Sequence, residues 1–337
     1  MMSNRLAVIC GPTAMGKTSL AVNLAKAFNG EIVSADSRQI FKGMDIITGK
    51  DLPVKAKFKP ETKLEKQLKQ KLSIPIKVGT YNFDSIPVWG LDLLDPDQEF
   101  SAAAYALLAK IVIKNIWQRQ KLAIVVGGTG FWIKALVGKI DTFGIKPDKG
   151  LRQKLEGFSV KQLTDLLKKL DLAKWQQMNQ SDQLNPRRLV RAIEVGQAKK
   201  KKINNKVSRD CLDFKIDKLL IIGLKASKKL ANNLIDLRVD QRIKNGAVKE
   251  VKKLLDHGYN WQLPAMSAIG FKQWQPFFNG KVGIDQVIKR WKEHEHNYFT
   301  RQLTWFNKTR QINWFLLDDQ DWNKKVVKFF QSWYYKK

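Results

Sequence analysis

The chain has 337 residues and 44% hydrophobic content, enough for one large domain or two moderate ones around a normal core. Its 61 Lys and Arg stand against 31 Asp and Glu, a formal charge of +30, which implies either a polyanionic partner (RNA, DNA or an acidic membrane) or a lysine-rich solvated surface. No apolar run approaches the roughly 20 residues that span a bilayer, Leu6 to Cys10 is too short for a secretion signal, and two cysteines, Cys10 and Cys211, exclude a disulfide framework and a cysteine-based zinc site, so a cytoplasmic protein without membrane attachment is expected.

Arg5 to Cys10 reads as a buried strand and Lys17 to Phe28 as a helix, with apolar spacing at Leu20, Ala21, Leu24 and Ala25. Glu31 to Ala35 is a second strand, and Val88 to Leu94 a third. Ala102 to Gln118 is helical. Leu122 to Val126 is a continuous apolar strand, followed by the turn Gly127-Gly128 and a helix from about Phe131. Strands alternating with helices imply a parallel sheet covered on both faces. Residues 151–200 then carry only helix-period segments: Val160 to Leu170, Leu172 to Met178 and Pro186 to Ala198. Lys218 to Leu224 returns to a strand, long helices follow to about Lys308, Ile312 to Leu317 is a last strand, and a helix ends the chain. The fold class is therefore α/β, a P-loop-type parallel core with an all-helical insertion. Residues 1–145 form the first part of the core, 146–205 the insertion and 206–337 the second, mostly helical part. The lysine-rich stretches Lys55 to Lys77 and Lys199 to Lys202 read as solvated faces or loops.

Gly11, Pro12, Thr13, Ala14, Met15, Gly16, Lys17 and Thr18 spell GPTAMGKT, the G-x-x-x-x-G-K-[ST] pattern between a strand and a helix. Backbone N–H groups of such a loop make an anion nest, and the helix N-terminus adds partial positive charge. Lys17 is placed to reach terminal phosphates, and the Thr18 hydroxyl to ligate Mg²⁺. The motif announces a diphosphate or triphosphate without choosing among kinase, ATPase, GTPase and other chemistries.

Further stretches narrow the choice. DSRQIFKGMDI begins at Asp36, VGGTGFW at Val126, NPRRLVRAIEV at Asn185, LRVDQRIKNGAVKEVKK at Leu237, SAIGFK at Ser267 and RQLTWF at Arg301. In this order they resemble the motif series of the tRNA dimethylallyltransferases, also called tRNA isopentenyltransferases: GPTASGKT, DSxQVYRGMDIGTAKP, VGGTGLY, DPQRLxRALEV, RxxxR, AIGYKE and RQxTWF. The resemblance runs from the phosphate loop to about residue 306. It implies transfer of a dimethylallyl group from dimethylallyl diphosphate to N6 of the adenosine 3′ to the anticodon, with Mg²⁺ as cofactor and the anticodon stem-loop of tRNA as partner, in an enzyme acting as a monomer.

Asp36 ends a strand at the carboxyl edge of the sheet, where α/β proteins place ligands. A carboxylate there can take a proton from an attacking amine; a metal ligand or a helix N-cap is the alternative. The resemblance makes it the catalytic base and lets Asp36, Ser37, Arg38 and Gln39 touch the target base. It places Thr129 at the reacting centre, although the Gly-Gly-Thr-Gly turn also suits a simple N-capping threonine. Arg238 and Arg242 share a helix face, and two guanidinium groups fit a diphosphate clamp or ion pairs with nearby Asp236 and Asp240. The resemblance favours Arg238 for the leaving diphosphate, where negative charge grows in the transition state. It also assigns tRNA contact to Arg152 and to Arg187, Arg188, Leu189, Val190 and Arg191, for which a solvated basic face is the alternative. Arg301 is a candidate RNA contact beside Trp305 and Phe306, which read as core.

Several positions depart from the family pattern. Met15 stands for a small residue, GMDIITGKD replaces GMDIGTAKP, Arg187 replaces Gln, and VGTYNFDSIPVWGLDLLDP stands where a His-His-Leu run is usual. No C-terminal Cys/His finger is present, as in bacterial-type members. The rival readings are a prenyltransferase acting on free AMP or ATP, an ordinary P-loop kinase, and an RNA-binding protein with a vestigial phosphate loop.

Overall fold

The computed structural model describes residues 4–138, 145, 147–201 and 214–336; Lys202 and Cys211 lie outside them. The chain divides into two compact units, one built from Met1–Lys139 with Phe214–Lys337, the other from Ile140–Asp213.

The larger unit contains β1 (Arg5–Cys10), α1 (Lys17–Ala27), β2 (Gly30–Ser34), β3 (Lys59–Pro60), α2 (Thr62–Leu72), β4 (Gly79–Phe83), β5 (Ile86–Trp89), α3 (Ala102–Gln118), β6 (Leu122–Gly127) and α4 (Gly130–Val137). The smaller unit contains α5 (Lys149–Lys154), α6 (Val160–Leu170), α7 (Leu172–Gln177), α8 (Gln180–Gln183) and α9 (Pro186–Lys200). The chain then returns to the larger unit through β7 (Lys218–Lys225), α10 (Lys228–Lys244), α11 (Ala247–Asp256), α12 (Gln275–Phe278), α13 (Ile284–Phe306), β8 (Asn313–Leu316) and α14 (Trp322–Tyr335).

The eight strands form one sheet in the order β3-β4-β5-β2-β6-β1-β7-β8. From β5 to β8 every neighbouring pair is parallel; β3 and β4 are antiparallel additions at one edge. β1 and β6 read as nearly continuous apolar runs because both faces of a central parallel sheet are covered; β2 (GEIVS) also buries the polar Glu31 and Ser34, and all but Arg5 of the three strands' residues are buried. Register is what builds the site. Cys10 lies opposite both Gly127 and Gly223, and Ser34 opposite Val126. The loops that follow β1, β2 and β6 therefore leave the sheet side by side at its carboxyl edge. Cys10 is buried beneath the phosphate loop, and burial pushes its thiol up to about 12 against the opposing charge of Lys17. It is an inert small hydrophobe.

The lysine-rich stretch presents a solvated face as expected: it holds a helix, α2, whose Leu64 and Leu68 are buried while Lys63, Lys66 and Lys69 face solvent. One expectation changes. The third strand begins earlier than expected, at Ile86, and stops at Trp89, where Gly90 turns the chain at φ 86. Among its described residues the smaller unit has helices joined by turns and no strand, and it packs Leu155, Leu163, Leu167, Met178, Leu189, Ala192 and Ile193 into its own core. No helix among the described residues is long and apolar enough to cross a membrane.

Candidate active site

Gly11 takes φ 133, and a Cβ there would run into the carbonyl of Leu224 on β7, so only glycine lets the loop leave the sheet this close to its neighbour. Ala14 (φ 63) and Gly16 (φ 68) then adopt left-handed backbone, the conformation that turns successive N–H groups to one side as an anion nest. α1 starts at Lys17 with no side-chain cap, so its first N–H groups remain free for an anion. Met15 is fully buried in the apolar core.

A cavity of about 290 Å³ opens over this loop. Its walls include Thr13 to Ser19, Asp36 and Gln39 after β2, Thr48, Gly49 and Asp51, the Val126-Gly127-Gly128 turn, Leu234 and Arg238 on α10, and Tyr298 and Gln302 on α13. Lys17 donates to the carbonyl of Pro12. Burial, with Arg238 adding repulsion, pulls its ammonium down to about 8 although Asp36 and Cys10 pull the other way. A second anion in the cavity would reverse that shift.

Asp36 Oδ1 accepts the backbone N–H of Arg38 at 2.8 Å, an Asx-type turn and not a helix cap. Thr129 makes no side-chain cap for α4; its Oγ1 accepts the N–H of Ser37 at 3.0 Å. The threonine thus ties the β6 turn to the segment that carries Asp36. Gln39 accepts from Ser34 Oγ at 3.0 Å and donates to the Gly49 carbonyl at 2.8 Å. Arg38 points its guanidinium to the carbonyl of Pro264 at 2.9 Å. Burial lowers its pKa while Asp36 and Tyr298 hold it up.

Arg238 reaches Thr13 Oγ1 at 3.3 Å and Asp51 Oδ2 at 3.4 Å. Arg242 sits one turn on, buried, paired with Glu295 at 3.2 Å, and is not on the cavity wall. Burial first and Arg238 second lower it to about 10. The clamp expected of two arginines is therefore one arginine at the cavity with a second behind it. Asp236 and Asp240 serve neither; they pair with His296 and Lys292. Arg301 is exposed, 5.7 Å from the ring of Tyr298, and does not line the cavity. Phe306 is core as expected, whereas Trp305 is half-buried against Gly130.

In the smaller unit, Arg152 and Arg191 converge on the buried Glu194, Arg152 Nε at 2.6 Å and Arg191 Nη1 at 3.0 Å. Arg188 pairs with Asp182, and Arg187 is exposed. Leu189 corrects the expectation of a tRNA contact: it is fully buried and packs the unit's core, because it is the apolar residue at the inward position of α9. Val190 is half-buried against the same core.

Sequence reasoning passed over Gln302 and Tyr298. Gln302, 7% exposed, accepts the N–H of Thr13 at 2.9 Å and donates to the Gly128 carbonyl at 2.9 Å, joining the phosphate loop to the β6 turn. Tyr298 lies one helical turn before it on the same face. Burial raises its phenol pKa, and Asp36 and Glu295 reinforce the shift against Arg38 and Arg301. The signal was present in RQLTWF, whose glutamine is Gln302.

A parallel sheet with an anion nest after its first strand, and a carboxylate and an arginine on the same cavity wall, defines a P-loop α/β protein with a site for a phosphorylated ligand. Residues 77–309 match the family model described as IPP transferase, and residues 4–65 the one described as isopentenyl transferase. A tRNA dimethylallyltransferase of Thermoanaerobacter sp. (strain X514) is 34% identical over 97% of this chain and 98% of its own. That of Halalkalibacterium halodurans is 31% identical over 97% and 95%. The crystal structure of the tRNA isopentenylpyrophosphate transferase from Bacillus halodurans superposes with a TM-score of 0.65 at 28% identity, covering 98% of this chain and 97% of that one. A eukaryotic dimethylallyltransferase acting on tRNA shares the fold, with a TM-score of 0.74 at 23% identity over 98% of this chain and 79% of its own. The chain belongs to the tRNA dimethylallyltransferase family of IPP transferases.

Proposed function

We propose that this protein transfers a dimethylallyl group from dimethylallyl diphosphate to the exocyclic N6 amine of the adenosine on the 3′ side of the anticodon in tRNA. The observation that carries the reading is the meeting of an anion nest, Lys17, Arg238 and the Asp36 carboxylate in one cavity, in a chain whose relatives along nearly its whole length are named tRNA dimethylallyltransferases. The nest, Lys17 and Arg238 hold the diphosphate. The N6 lone pair attacks C1 of the donor, the N6–C1 bond forms and the C1–O bond breaks. Its electron pair leaves on the diphosphate, where Lys17 and Arg238 stabilise the growing charge, and Asp36 takes one proton from N6. Thr129 acts through the N–H of Ser37 to keep the Asp36 segment in place.

The donors on this part of the wall are oxygens, the Thr18 hydroxyl and the carboxylates of Asp36 and Asp51, which suit Mg²⁺ better than a softer metal. No group of three or more His, Cys, Asp or Glu able to hold a metal occurs among the described residues, so the ion would share its shell with the diphosphate and water. Thr18 is the protein ligand we assign. Held there, Mg²⁺ would supply positive charge against the diphosphate.

The acceptor reaches the site by base flipping, which costs less in an anticodon loop than in a duplex because the base is already poorly paired. The excess positive charge of the chain provides the long-range attraction, with Arg152, Arg187, Arg188 and Arg191 as the basic positions of the smaller unit. Asp36→Ala tests the chemistry: single-turnover transfer should vanish while tRNA affinity stays within a few-fold. Retained transfer in this variant would overturn the role of Asp36.

A further inference from the structure

The loop on one side of the cavity is fixed at every residue but its last. Glu250, 9% exposed, accepts the backbone N–H groups of Asp45, Ile46 and Ile47 at 2.7, 2.6 and 3.0 Å. Lys50, 2% exposed, donates to the Phe41 carbonyl and to Asp45 Oδ1, each at 2.6 Å, and to the Asp92 carboxylate. Gly49 takes φ 66, and a Cβ there would have to displace the guanidinium ends of Arg238 and Arg242. Asp51 comes next and escapes this framework. Its side chain is 67% exposed, its backbone is left-handed at φ 50, and its carboxylate pairs with Arg238 Nη2 at 3.4 Å across the cavity wall.

Arg238 is held loosely in return. Its partners Thr13 Oγ1, Gly49 O and Asp51 Oδ2 lie at 3.3, 3.5 and 3.4 Å, beyond the roughly 2.7–2.9 Å of a charge-assisted hydrogen bond. Arg242 behind it pairs with Glu295. Among the described residues, the ion pair of Arg238 is the one with Asp51. Arg238 also repels Lys17 and Arg242, second to burial in lowering both, so its charge needs a counter-ion while no ligand is bound.

We propose that Asp51 is a built-in counter-ion that holds Arg238 until a diphosphate displaces it, and so sets how tightly this cavity takes and releases a diphosphate. The inference rests on the diphosphate-binding reading of the phosphate loop. An incoming polyanion attracts Arg238 and repels Asp51. The exposed carboxylate can turn into solvent without moving the loop, because Lys50 and Glu250 anchor everything before it.

The test is titration of the full-length protein with inorganic diphosphate, in EDTA and again in Mg²⁺, using wild type, Asp51→Asn, Arg238→Ala and the double variant. Asparagine tolerates left-handed backbone, so the substitution removes charge without straining the turn. Loss of an exposed competing ion pair, together with its repulsion of the ligand, should tighten binding about three- to tenfold. The gain should be absent in the Arg238→Ala background. Equal affinity for wild type and Asp51→Asn overturns the proposal, as does weaker binding, and weakening only in Mg²⁺ would make Asp51 a metal ligand instead. No binding by wild type in either condition removes the diphosphate site itself, a different failure from a wild type that binds and a variant that matches it.

Discussion

Gln302 holds the two halves of the cavity floor together, and its removal should be felt in both stability and ligand binding. One side chain accepts from the phosphate loop at Thr13 and donates to the β6 turn at Gly128. Leucine at this position keeps the bulk and deletes both bonds. An orphaned buried group costs about 1–3 kcal/mol. The Gly128 carbonyl is buried but keeps the N–H of Gly130 at 3.1 Å as a second donor, and Thr13 is part-exposed and regains some of its loss from water. The sum is about 1–3 kcal/mol, equivalent to a fall in melting temperature of about 2–6 °C for a unit of this size. Gln302→Glu separates the two bonds. It keeps the acceptor for Thr13, sets a second oxygen against the Gly128 carbonyl, and brings negative charge beside the anion nest. Denaturant unfolding and inorganic diphosphate titration of both variants provide the assay. Gln302→Leu should lose stability, and Gln302→Glu should bind diphosphate more weakly than Gln302→Leu. If both match wild type within about 0.5 kcal/mol, the ordinary range of neutral surface substitutions, the clamp does not couple the loops.

Two further outcomes follow from titrating groups. Lys17 is held near 8, so its charged form, the one that binds diphosphate, is fully populated below that pH and lost above it. Affinity for inorganic diphosphate should fall as pH rises through about 8, by up to about tenfold per unit, and Lys17→Arg should flatten the profile; an unchanged wild-type affinity up to pH 10 would contradict the shift. In the smaller unit, burial acts to raise the Glu194 carboxyl, but hydrogen bonds from Arg152, Arg191 and the Asp148 N–H prevail and hold it below its ordinary value. A depressed carboxyl contributes stability above its unfolded value of 4.5 and loses it as pH falls through the lower folded value. Glu194→Gln should therefore cost about 1–2 kcal/mol at pH 7, discounted because both arginines are partly exposed, and the difference from wild type should vanish in acid, as thermal melts against pH will show.

The central sheet was legible because β1 and β6 are short, nearly continuous apolar runs. β1 and α3 fall on their expected boundaries, as does α6, where Leu163 and Leu167 recur at helical spacing. The antiparallel edge was not. Its hairpin turns on Asp84 and Ser85 at φ 47 and 71, positive values that glycine or asparagine usually signals, and the alternation of buried Tyr81, exposed Asn82 and buried Phe83 spans only one strand. The phosphate loop and Asp36 were legible because motif and flanking elements agree. Tyr298 and Asp51 were not, and Gln302 showed only as a letter of RQLTWF, since their importance lies in what long-range folding brings against them. Thr13 and Gln302 are joined across a sequence separation of 289 residues. The second arginine misled for a related reason: helical spacing places Arg242 on the face of Arg238, but only the packing of α10 on α13 shows that Glu295 has already claimed it.

The most direct measurement of the central claim is a transfer assay with Mg²⁺ and labelled dimethylallyl diphosphate, offering unmodified tRNA, AMP and ATP as separate acceptors. Label in tRNA that disappears when the adenosine 3′ to the anticodon is replaced is the predicted result. Label in AMP or ATP but not in tRNA, or in no acceptor at all, would contradict it.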